Sequence, residues 1–418
     1  MDDIKIIKGN FIDTADKDSF RINNSSYLIV DGELISGICK SLPEQYKSIQ
    51  IIDYDDSLII PSFTDLHIHA PQILQRGLGM DMELIDWLNI CTFQSERKFE
   101  NIKYAEEVYS YFTEMLYNFG TLRSCIFGTV HQAANEILAK QLIKNGLYAF
   151  VGNVNMDRNS PAYLTEKLHD SLLQTRNFIL KYRDNERVKP IITPRFAPSC
   201  SHELLIGLGR LAEKYKVPVQ SHLSENTSEV QWVKELYPEY RNYSEVYRKH
   251  GLFGQTKTLM AHGIYLEPEE IELALNSDVI LVHCPDSNLN LSSGIMNVTK
   301  YLDLGLKIGL GSDVGAGHSL GMNQVIVRSI QSSKIKHAMD KNCRVLKHSE
   351  AFFMATKGNG SFFGNTGNFD KGNFFDALVI TDNSPLSGKP EPLDSLYRFL
   401  YYGDDRNISV RYLKGNRI

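Results

Sequence analysis

The chain predicts an α/β fold: a (β/α)8 TIM-like barrel with a small β-sandwich domain formed from both chain termini. Three observations carry that expectation. Apolar, strand-like runs recur through the middle of the sequence, each followed by an amphipathic stretch. There are eight such runs, the number that closes a parallel barrel of βα units. The two ends have a different texture, short strands and tight turns.

At the N-terminal end, residues 4–12 read as one strand. Tyr27-Leu-Ile-Val-Asp31-Gly32-Glu-Leu-Ile reads as a hairpin, because Asp-Gly suits a type I′ turn. At the other end, 374–381 is a strand and 410–418 another that turns on Gly415. These ends make one composite unit, 1–58 plus 370–418, around a barrel at 59–369. The barrel runs are 58–69, 121–130, 147–155, 188–196, 217–223, 258–264, 279–284 and 306–313. Helical periodicity fills the gaps at 104–119, 132–144, 164–182, 203–215 and 269–275. A doubly wound open sheet is the alternative. No Gly-X-Gly-X-X-Gly follows the first run, which removes its usual dinucleotide function.

Bulk composition narrows the function. A length of 418 residues, 42% hydrophobic and 23% charged, is that of an ordinary globular protein with room for a large core. The net charge of −5 offers no basic face for nucleic acid. No apolar run approaches the ~18 residues of a membrane span, and the N-terminus lacks a signal peptide's apolar core. Six cysteines stand singly, with no Cys-X-X-Cys, so a reduced, cytoplasmic protein is expected.

The chemistry lies at the ends of the runs, where such barrels assemble their sites. Residues two apart on a strand share a face, so His67 and His69 present adjacent imidazoles suited to zinc or iron. Run 4 ends in Arg195-Phe196, run 5 in His222 with Glu225 just beyond, and run 6 in His262. Run 7 ends in His283 and run 8 in Asp313. Each alone reads as a packed core histidine, a helix cap or a turn residue. Together, on strands that meet at one rim, they read as a metal centre of imidazoles and one carboxylate.

This pattern resembles the amidohydrolase superfamily of metal-dependent barrel hydrolases and, within it, the guanine-deaminase family. The matching stretches are His69-Ala-Pro-Gln72, Asp86-Trp-Leu-Asn with Thr92-Phe, and Thr193-Pro-Arg-Phe-Ala-Pro-Ser-Cys200. Ser221-His-Leu-Ser-Glu-Asn226, His283-Cys-Pro-Asp-Ser-Asn288 and Gly309-Leu-Gly-Ser-Asp313 complete the match, over about residues 50 to 380. Ser312 stands where these enzymes often carry threonine, and Asp286 where Asn is frequent. Binuclear relatives place a carbamylated lysine at the end of strand 4. Here that place holds Thr-Pro-Arg-Phe, which favours a single metal. The cytidine-deaminase template is excluded, since His348-Ser-Glu350 has no downstream Cys-X-X-Cys.

The resemblance implies hydrolysis of guanine to xanthine and ammonia. The expected metal ligands are His67, His69, His222, His262 and Asp313, around one Zn2+ per chain, with Fe2+ as the second choice. His262 is either a ligand or a hydrogen-bond partner of the nucleophile. Glu225 is the expected proton shuttle, Asp313 the second proton acceptor, and His283 a weaker catalytic candidate. Arg195 and Gln72 are the expected base readers, with Phe196, His69, His222, Glu225 and Asp313 also touching the purine. Trp87 is pocket wall, and Cys200 and Cys284 are packed thiols. The resemblance also implies a homodimer. Other readings are a deaminase or chlorohydrolase for 8-oxoguanine, thiopurine nucleoside or triazine rings, and a non-catalytic barrel scaffold.

Overall fold

The computed structural model describes residues 3–382 and 390–418. From the N-terminus come β1 (Ile4–Asp13), β2 (Arg21–Asp31), β3 (Leu34–Cys39) and β4 (Ile51–Pro61). The middle holds β5 (Phe63–His69), β6 (Thr121–Phe127), β7 (Tyr148–Gly152), β8 (Val154–Asn155), β9 (Val188–Pro190) and β10 (Thr193–Pro194). It continues with β11 (Val219–Leu223), β12 (Thr258–His262), β13 (Val279–His283) and β14 (Ile308–Leu310). The chain closes with β15 (Ala377–Ile380), β16 (Ile408–Leu413) and β17 (Asn416–Arg417).

Two parallel sheets occupy the middle, ordered β5-β6-β7-β9 and β11-β12-β13-β14, with β8 and β10 as a short parallel pair. Crossover helices such as Gln132–Lys144, Leu168–Tyr182 and His202–Tyr215 join successive strands. Backbone hydrogen bonds connect the two sheets at both edges. On one side Gln220 N donates to Ile192 O at 2.8 Å, and on the other Asp313 N donates to His67 O at 2.8 Å. His69 N, donating to Val314 O at 2.9 Å, extends the second junction.

The run expected at 58–69 is in fact two strands. Leu58–Pro61 pairs with β15 in the terminal sheet, and only β5 belongs to the parallel sheet. The reason is burial. Ile59 faces one core while Leu58 and Ile60 face another, whereas β5 is buried along its whole length.

Strands from both termini meet, but hydrogen bonding joins them into a single seven-stranded sheet, β17-β16-β15-β4-β1-β2-β3, in place of two packed sheets. Period-two alternation gives it two apolar faces. Ile7, Leu28, Val30, Ile59, Val379 and Tyr412 gather with Phe369 and Phe375 in a core of their own. Leu58, Ile60, Leu378, Ile380 and Ile408 turn into the main core. A sheet buried on both faces needs no second sheet against it. The hairpins turn where expected, with Gly32 at φ 59° and Lys414-Gly415 at 49° and 75°.

Candidate active site

Four side chains from three strand ends converge. Nε2 of His67 and of His69 lie 3.2 and 3.4 Å from Asp313 Oδ1, and His69 Nε2 lies 3.2 Å from His222 Nε2. Taking one donor atom from each, all four lie within 4.8 Å of one another. Burial, with neighbouring histidines adding to it, pushes the pKa values of His69 and His222 well down, so both imidazoles are neutral, as ligands must be. His222 Nδ1 donates to the Arg195 carbonyl at 2.5 Å, which leaves its Nε2 lone pair facing the cluster. Among the described residues, buried His67 Nε2 makes no well-aligned hydrogen bond, although Asp313 Oδ1 lies 3.2 Å away. Three imidazoles and a carboxylate gathered this way, with a buried nitrogen left over, fit a divalent cation and are otherwise costly.

The local backbone explains why these residues meet. Asp313 and His262 adopt positive φ, 48° and 74°, which turns the chain sharply at the strand ends. The Gly309-Leu-Gly311 segment allows β14 to press on β5. A Cβ at Gly311 would lie 2.7 Å from His67 Cβ, and one at Gly309 would lie 2.7 Å from Leu66 Cδ1. Asp65, two residues before His67, accepts from the backbone N of His67 at 3.0 Å and from Ser312 Oγ at 2.5 Å. It ties the two ligand-bearing segments together.

His262 stands apart from the four. It groups with Cys284 and Asp313, its Nδ1 is 2.9 Å from the Asn288 amide nitrogen, and its Nε2 is 3.2 Å from Glu225 Oε2. An amide N–H donating to Nδ1 leaves the ring proton on Nε2, facing Glu225. Glu225 is itself 3% exposed and accepts from Ser293 Oγ at 3.0 Å. Burial, reinforced by Asp313, holds its pKa well above the ordinary carboxylate range. The following residue, Asn226, caps helix Thr227–Leu236, so Glu225 is spared that role. Glu229 accepts from the Glu225 backbone N at 2.8 Å and fixes the turn.

A small cavity opens beside the cluster. His69, Gln72, Arg195, Phe196, His222, Glu225 and Asp313 line it, with Trp87, Leu84, Leu88 and Leu291 as apolar wall. His283 ends β13 but does not line this cavity. Burial pushes its pKa to about 3, so it is neutral. Cys200 and Cys284 are buried thiols that donate to the Asn155 and Val282 carbonyls, and burial raises both pKa values.

The model of the amidohydrolase family matches residues 58–418. The chain belongs to the amidohydrolase family. This amidohydrolase is 37% identical to a guanine deaminase of Dictyostelium discoideum, over 99% of this chain and 98% of that one. It is 40% identical to a human guanine deaminase, over 86% of this chain and 82% of that one. Among solved structures, a guanine deaminase from C. acetobutylicum with bound guanine in its active site is 50% identical, with a TM-score of 0.98. That likeness covers 99% of this chain and 100% of the other.

Four polar residues of this amidohydrolase lie outside the set read from sequence: Asp65, Glu96, Glu229 and Asn288, all buried. Asp65 has a signal, since it shares the period-two face of His67 and His69. Glu96 has none. It sits on the five-residue helix Phe93–Arg97, where an acid normally reads as solvated.

Proposed function

We propose that this amidohydrolase hydrolyses guanine to xanthine and ammonia, breaking the C2–N bond of the exocyclic amine and forming C2–O. What supports the reading is that one cavity is lined by Arg195, Gln72, His69, His222, Glu225 and Asp313 together. His67, His69, His222 and Asp313 would hold one zinc ion, with iron the second choice. Such an ion, when bound, supplies a water acidified towards neutral pH.

The side chains divide the remaining work. Glu225 takes the proton of the attacking water and delivers it to the ring nitrogen beside C2, and its raised pKa suits both halves of that exchange. Asp313 takes the second proton, and the leaving amine collects it. His262 donates from Nε2 toward the same space, while His283 takes no step. Arg195 and Gln72 grip the base through N–H donors, with Phe196 against it. The 6-oxo oxygen and its ring neighbours are acceptors, which a guanidinium matches. The reading also takes residues 59–369 as a closed (β/α)8 barrel, supported by the hydrogen bonds joining both sheet edges, and 1–58 plus 370–418 as its companion unit. It takes the protein as a cytoplasmic homodimer acting on a small base rather than on nucleic acid. Among the described residues, no helix is long and apolar enough to cross a membrane.

Ammonia release from guanine, 2-aminopurine, 8-oxoguanine and adenine tests this. Without the 6-oxo group the Arg195 donor faces a C–H, and a loss of about 10⁴ in kcat/KM for 2-aminopurine is expected. Arg195→Ala should lower guanine turnover and narrow that gap. Comparable turnover of the two bases by the wild type would exclude the assignment, as would an unchanged ratio in the variant.

A further inference from the structure

Both base readers are held by one carboxylate. Arg195 Nη1 donates to Glu96 Oε2 at 2.6 Å, and Gln72 Nε2 donates to Glu96 Oε1 at 2.9 Å. Glu96 and Arg195 are each 2% exposed, and the guanidinium lies 5.2 Å from the centre of the Phe93 ring. Gln72 is held from its other end as well, since its Oε1 accepts from Gly315 N at 3.2 Å. A carboxylate only accepts and a backbone N–H only donates, so the Gln72 amide has a single satisfied orientation. That orientation leaves an N–H, not a carbonyl, for the cavity. Among the described residues the guanidinium forms its ion pair with Glu96, and Arg195 also lines the cavity.

We propose that Glu96 is the positioning and charge-setting residue of the base pocket: it orients two N–H donors toward the ligand and cancels the charge of Arg195, so that the pocket selects neutral purines with adjacent acceptors over purine anions. The inference rests on the guanine reading above and deepens it. A lone buried guanidinium would attract any anionic ring. A guanidinium already paired with a carboxylate offers its geometry without its net charge. Orientation and charge are separable, because one variant can remove the charge and another can keep it.

The experiment uses the metal-loaded protein, with metal content and melting temperature measured for each variant. Binding of hypoxanthine, a neutral 6-oxopurine, and of 8-azaxanthine, an anion at neutral pH, is measured by calorimetry alongside KM and kcat for guanine. Removing a charge that close to the ligand should shift anion binding by about tenfold or more. Glu96→Gln is therefore expected to tighten 8-azaxanthine relative to hypoxanthine by at least that factor. It should also raise KM for guanine by about tenfold with a smaller effect on kcat, since one N–H acceptor is lost. Glu96→Asp keeps the charge but cannot span both readers. It should raise KM while leaving the ratio of the two affinities at the wild-type value. If Glu96→Gln does not fold, Glu96→Asp alone decides, and an unchanged KM or an altered ratio refutes the proposal. If Glu96→Gln folds, an unchanged anion-to-neutral ratio or an unchanged KM refutes it. A wild type that binds both probes but releases no ammonia from guanine removes the guanine reading and leaves the charge test standing.

Discussion

Glu225 shows how much a single residue depends on its immediate surroundings. Ser293 donates to one carboxylate oxygen at 3.0 Å, while His262 Nε2 lies 3.2 Å from the other. Burial favours the neutral acid, and the nearby Asp313 carboxylate adds to that preference. A carboxyl so arranged holds a proton more readily than an exposed one and has partners on both oxygens for passing it on. Glu225→Gln keeps the shape and loses that capacity. We expect kcat to fall by roughly 10² to 10⁴ with metal content and melting temperature near wild type. A loss under about tenfold would transfer the proton to another group, His262 first.

At the scale of elements, the decisive contact is the close approach of β5 to the segment after β14. Both carry candidate ligands, and their separation is set by glycines and by Asp65. Gly311→Ala would bring a Cβ to 2.7 Å from His67 Cβ and 2.9 Å from Val282 Cγ1. Neither neighbour can yield freely inside a packed core. The substitution should cost about 1–3 kcal/mol of stability. Because the strain falls on the ligand-bearing strand, metal affinity should fall with it. Denaturant melts and metal analysis check this together, and unchanged values for both would mean that the two segments are not coupled.

Over the whole molecule, candidate ligands come from both parallel sheets, so a bound ion would bridge the two halves of the fold. An ion that binds only the folded chain stabilises it by mass action, about 4 kcal/mol at a thousandfold excess over Kd. Chelation should therefore lower the melting temperature as well as abolish turnover, and zinc should restore both. His222→Ala should lose metal and activity together and become insensitive to the chelator. Full metal occupancy with near-normal turnover in that variant would exclude His222 as a ligand.

Much of this was legible in residues alone, for a reason of periodicity. Alternating strands and amphipathic helices are local patterns, so the order of elements and the residues ending each run follow from spacing. Those end residues include His67, His69, Arg195, His222, His262 and Asp313. Local patterns do not specify depth or partners. Whether 58–69 is one strand or two depended on which core each side chain met, and the terminal strands formed one sheet because both of its faces found cover. The site divides in the same way. The sequence by itself determined which polar residues stand at the strand ends. Only the tertiary structure decided that Glu96 holds Arg195 and Gln72 together, that Asp65 binds Ser312, and that His262 faces Glu225. Those pairings join residues 24 or more positions apart, and nothing local in a sequence encodes a contact closed by the packing of the whole chain.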